Sequence, residues 1–131
     1  MTSRKKVKVE KPLTEVELQL MNAVWSLGDC TVKEVQETIN KTRDLAYTSI
    51  ATVMKILEQK GVLKSAKTDK AHIYSPLISK AEYETSSLRH LANNLFEGDP
   101  TSMVMRLLND SKLSKEELSH IQKLLNERMG S

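Results

Sequence analysis

Aromatic residues make up only 4% of this chain, and its 131 residues include a single cysteine, Cys30. So few rings leave no platform on which successive single-stranded bases could stack. One cysteine excludes an internal disulfide and suits a reducing compartment. Glycine is scarce too, with four in all, so no glycine-rich phosphate loop exists. No nucleophile stands with a histidine and an acid at a recognisable catalytic spacing, and an enzyme is not expected. No apolar run approaches the roughly 18 residues of a membrane-crossing helix, and no apolar segment follows the basic start. The expectation is a soluble, cytoplasmic chain without membrane insertion. His72, His90 and His120 are widely separated and share no metal-ligand spacing, so neither a metal nor another cofactor is expected.

What is present is more directive. Apolar residues reach 39%, enough for one modest core, and the net charge is +3. That charge is unevenly spread. Residues 1–76 hold 13 Lys/Arg against 9 Asp/Glu, whereas residues 77–131 hold 7 against 8. The densest basic run, Arg4 to Lys11, reads as a flexible arm over residues 1–12 that could meet phosphates.

Helix starts are clearly marked. Thr14-Glu15-Val16-Glu17, Thr31-Val32-Lys33-Glu34, Ser79-Lys80-Ala81-Glu82 and Ser114-Lys115-Glu116-Glu117 all fit the capping box, and Asp99-Pro100 is a fifth start. The first helix is expected from about Thr14 to Leu27, with Leu18, Met21 and Trp25 as its stripe. The second is expected from about Thr31 to Lys41, with Val32, Val35 and Ile39 inward. LAYTSIATVMKILEQKGVL, Leu45 to Leu63, reads as the third, ended by Gly61. Val62–Lys67 and Ala71–Leu77 then form an expected hairpin around Thr68-Asp69-Lys70. Three more apolar stripes follow, from Ser79, Asp99 and Ser114.

On a wheel of about 100° per residue, Ile50, Val53, Met54 and Leu57 of the third helix form a core stripe. The opposite side holds Thr48, Thr52, Lys55 and Gln59, flanked by Ala51, while Ile56 falls cleanly on neither. Small side chains let a helix lie close to a surface, and threonine, lysine and glutamine can meet phosphates or base edges. Tyr47, Thr48 and Ser49 add hydroxyls at the helix N-terminus, where free amides and the dipole favour phosphate. Arg43 just ahead of the helix, and Lys64, Lys67, Lys70 and His72 on the hairpin, complete a basic rim. Three helices followed by a hairpin is the order of a winged helix-turn-helix. The fold class is therefore mainly α with a small β-hairpin wing. A winged-helix DNA-binding domain is expected over 13–77 and a helical dimerisation domain over 78–131.

The blocks LTEVELQLMNAVWSLGDCTVKEV, AYTSIATVMKILEQKGVL, AHIYSPLISKAEY and NLFEGDPTSMVMRLL together resemble the penicillinase-repressor family, the BlaI/MecI/CopY group. The resemblance runs from about Leu13 to Leu125. It implies a homodimeric repressor that binds an inverted-repeat operator in double-stranded DNA and controls β-lactamase or related resistance genes. Leu88, Leu91, Leu95, Met103, Leu107, Leu118, Ile121, Leu124 and Leu125 would line the dimer contact. In the β-lactam branch a membrane sensor-protease system triggers cleavage between an Asn and a Phe in the short helix after the Gly-Asp corner. The corresponding bond here is Arg106-Leu107, where both residues differ although the apolar neighbours Met103, Val104, Met105 and Leu108 are kept. The copper-responsive branch carries a cysteine-rich tail, and no cysteine follows Cys30 here.

Two other readings remain. One is a winged-helix repressor relieved by a small ligand; the other is a dimerising winged-helix adaptor that reads no DNA.

Overall fold

The computed structural model describes residues 12–110 and 112–130. The expected basic arm lies outside them apart from Pro12. Six helices and one hairpin follow in the order α1 (Glu15–Leu27), α2 (Val32–Ile39), α3 (Tyr47–Gln59), β1 (Leu63–Lys67), β2 (His72–Pro76), α4 (Lys80–Leu95), α5 (Pro100–Leu108) and α6 (Lys115–Met129). All five expected starts carry their caps. Thr14, Thr31 and Ser114 close reciprocal capping boxes with Glu17, Glu34 and Glu117. Ser79 and Glu82 exchange bonds of 3.0 Å at the start of α4, and the Asp99 carboxylate accepts from the Thr101 amide. Each cap satisfies an amide that would otherwise lack a partner.

The third helix ends at the glycine that its sequence marks as the stop. Gly61 takes φ +82°, its amide donates to the Glu58 carbonyl, and the Val62 amide donates to Leu57. A side chain would resist that left-handed turn. Val62 and Leu63 are thereby moved off the helix, and both are buried below the hairpin. Pairing runs Leu63 with Pro76, Ser65 with Tyr74 and Lys67 with His72. Cys30 adds a short third rung: its amide donates to the Tyr74 carbonyl at 2.9 Å and its carbonyl accepts from the Tyr74 amide at 2.7 Å. The wing is thus tied by its backbone to the α1–α2 connection.

Contacts divide the chain into two compact units, the first ending at His90 and the second beginning at Leu91. In the first, Leu20, Met21, Val24, Val35, Ile50, Met54, Leu57, Val62 and Leu63 are almost fully buried. Each contributes about 1.5–3 kcal/mol through burial. The α1 stripe is centred on Leu20, Met21 and Val24, leaving the expected Leu18 and Trp25 at its edge. Trp25 stays at the edge because its indole N–H donates to the Ile78 carbonyl at 2.9 Å while its ring leans on Tyr83. Tyr83, on the second turn of α4, is itself buried, and its hydroxyl accepts from the Leu13 amide at 2.9 Å. The start of α4 therefore belongs to this first core, beyond the Leu77 boundary that the sequence suggests.

The second unit is built differently. Glu97 and Gly98 both take positive φ, 53° and 79°, which ends α4 and allows Asp99 to start α5. Ala92 is the sole buried hydrophobic residue among the described residues of this unit. Leu91, Leu95, Val104, Met105, Leu107, Leu108, Leu118, Leu124, Leu125 and Met129 are exposed.

Candidate nucleic-acid interface

The outer face of α3 is held up by the inner one. Ile50, Met54 and Leu57 are fully buried and fix the helix on the core, with Val53 packed beside them. Thr48, Thr52, Lys55 and Gln59 consequently face solvent, as do Tyr47 and Ser49. Ala51 is half-buried against the core. Among the described helices α3 alone has no side-chain cap, since Ala46 occupies the cap position. Its first-turn amides are thus not engaged by a cap, at the end where the helix dipole favours an anion. The Thr52 hydroxyl donates to the Thr48 carbonyl at 2.9 Å. Its donor is therefore engaged within the helix, leaving a methyl and an acceptor outward. Arg43 donates to the Gln19 side-chain oxygen at 2.9 Å, which links the α2–α3 loop to α1.

The wing is positioned by alternation along its strands. Leu63 and Tyr74 bury their side chains, and Ser65 on the same face donates to Glu58 of α3 at 2.5 Å. Two residues further out, Lys67 and its partner His72 continue that face, because side chains recur every second residue along a strand. His72 stacks on Tyr74 with ring centroids 4.8 Å apart. Thr68 closes the turn: its amide donates to the Ala71 carbonyl, and its hydroxyl oxygen accepts from the Ala71 amide. Lys70 is left exposed at the tip. Lys64, one residue out of phase, lies on the other face.

A groove of about 580 Å³ runs between α3, the start of α2 and the wing. Tyr47, Ala51, Lys55, Lys67, Lys70 and His72 line it, so six of the sequence-derived candidates share one concavity. Arg43, Thr48, Ser49, Thr52 and Gln59 do not line it. The groove also takes in Thr31, Val32 and Lys33, which were not among the expected contacts. Lys33 was legible only as the third residue of a capping box, and the approach of the α2 N-terminus to the wing is a tertiary fact. Four lysines and no carboxylate line this surface, and phosphate is the anion such a surface suits. Burial, followed by the Glu58 carboxylate, pushes the Tyr74 phenol above its ordinary value, so it stays neutral on the groove wall.

Cys30 is fully buried, and burial, then Glu34 and Asp29, push its thiol up to about 11. It is a neutral packing group at neutral pH. Glu17 is buried within α1, and both its oxygens accept from the Lys60 ammonium, at 2.8 and 2.7 Å. The end of α3 is thereby locked to the start of α1.

Residues 13–127 match the penicillinase repressor family. The chain belongs to that family. Its members are DNA-binding transcriptional repressors, not enzymes. The penicillinase repressor of Bacillus licheniformis is 27% identical over 115 residues, covering 88% of this chain and 90% of that protein. The penicillinase repressor of Staphylococcus aureus is 23% identical over the same length, covering 88% and 91%. Among solved structures, the monomeric form of Bacillus licheniformis BlaI in complex with the blaP half-operator is similar with a TM-score of 0.50. It is 26% identical, and the match covers 58% of this chain and 92% of that one.

Proposed function

We propose that this protein is a homodimeric repressor in which each copy places α3 in the major groove of one half of an inverted repeat. The wing and the α2 N-terminus would meet the flanking phosphates. The observation that carries the reading is the four-lysine groove beside an uncapped helix whose outer face is threonine, lysine and glutamine. The relative solved with a half-operator supports DNA as the partner of this chain. Kinship with penicillinase and methicillin-resistance repressors favours resistance genes as the targets.

The second unit supports the dimer. With Ala92 alone buried among its described hydrophobic residues, it leaves an apolar surface that a second copy would cover. Leu88, Leu91, Leu95, Leu107, Leu118, Leu124 and Leu125 are exposed, and Met103 and Ile121 half-buried. Release of DNA would follow a cut at Arg106-Leu107 by the protease of a membrane sensor system. Both residues are exposed on α5, a helix with no buried residue.

The test is capture of genomic DNA fragments by the purified protein at about 0.15 M salt. An enriched inverted repeat is expected, with the neighbouring genes naming the regulon. Replacing Thr48 and Lys55 by alanine should abolish the enrichment. Uniform weak recovery without a dyad, unchanged by those substitutions, would favour an adaptor that reads no DNA.

A further inference from the structure

Ile56 is an apolar residue of α3 that the core does not bury. It is 37% exposed and stands outside both the core cluster and the half-buried residues packed against it. At about 100° per residue it lies about 40° from Thr52, at the edge of the outer face and away from the wing. Thr52 stands one turn before it, and the Thr52 hydroxyl already donates to the Thr48 carbonyl. A methyl followed by a branched aliphatic chain therefore forms an apolar step at the edge of the face that offers Thr48, Lys55 and Gln59.

In the major groove one base edge has an apolar group to offer, the C5 methyl of thymine. We propose that Ile56, with the Thr52 methyl, is a specificity-determining contact that selects thymine through its methyl group. The inference rests on the reading of α3 as the helix that enters the major groove. It adds which base the helix selects and by what force. Because burial of a methyl is non-directional, this contact discriminates by contact area where Gln59 and Lys55 would discriminate by hydrogen bonds.

The test uses the full chain and a duplex recovered by capture from random double-stranded DNA, titrated by fluorescence anisotropy. Each thymine of a half-site is replaced in turn by uracil, which removes the methyl and nothing else. A loss of about 3- to 5-fold is expected at one or two positions, the scale of one methyl withdrawn from apolar contact. Ile56→Ala should erase the penalty at one such position with the melting temperature unchanged. Thr52→Ser, which deletes a methyl and keeps the hydroxyl, should shrink it at the same or the adjacent position. Tolerance of uracil at every position by protein that still binds the duplex overturns the inference and leaves DNA reading by α3 intact. Penalties that persist unchanged in both variants overturn it equally. Failure to recover any sequence overturns the inference and the reading of α3 together.

Discussion

At the residue scale, Glu17 shows how one side chain can serve two elements. It closes the α1 capping box with Thr14 and, buried, takes both bonds from Lys60 at the far end of α3. Burial raises its pKa, but the hydrogen bonds from Lys60 and Thr14 outweigh burial and hold the carboxyl below its ordinary value. A carboxyl with a lowered folded value stabilises above the ordinary range, and that contribution is lost as pH falls through the lowered value. Lys60→Met leaves the carboxylate without its cation. Urea unfolding at pH 7 should show a loss of about 1–2 kcal/mol, discounted for the partly exposed lysine. The difference from wild type should shrink as pH is lowered through the acidic range where Glu17 protonates. A difference that stays constant to pH 3 would mean that the ion pair contributes nothing. The capping role of Glu17 was legible in the sequence. Its burial was not, because Lys60 lies 43 residues away.

At the element scale, the hairpin and α3 act as one surface through Ser65, Tyr74 and the Cys30 rung. Strand alternation puts Lys67 in the groove and Lys64 outside it. Lys67→Ala and Lys70→Ala should each flatten the slope of log affinity against log salt by about one unit, and Lys64→Ala should leave it near the wild-type value. Equal effects at all three would remove the wing face as the phosphate contact. The expected hairpin, its turn and the outer face of α3 were readable from alternation and the helical period. Lys33 was not, because its place depends on how α2 meets the wing. α5 makes a separate prediction. Carrying no buried residue, it opens at little cost, and limited proteolysis by a protease that cuts after arginine should nick the chain after Arg106 before Arg89. Earlier loss at Arg89 would place the weak point in α4.

At the scale of the whole molecule, the first unit has a continuous core and the second has none of comparable size. Such a distribution suits a chain completed by a second copy, as the proposed two-fold repressor would require. Leu124 is 53% exposed, so Leu124→Asp takes nothing from the chain's own core. Sedimentation equilibrium should find monomers for this variant and dimers for wild type, with the helical circular dichroism of the first unit retained. Dimers that survive the charge would move the contact off α6.

The sequence by itself determined what is local. Caps, helical periods, strand alternation and the glycine stops depend on neighbours within about a turn, so Thr14, Thr31, Ser79, Asp99 and Ser114 announced their helices correctly. The order of these elements was enough to imply a winged helix. Only the tertiary structure decided which lysines share a groove and that Tyr83 of α4 belongs to the first core. It also showed that the Thr52 hydroxyl is turned back into its own helix. Most of these facts rest on contacts between residues far apart in the chain. Such contacts are selected by packing and by the need to satisfy buried polar groups, and no local period records them.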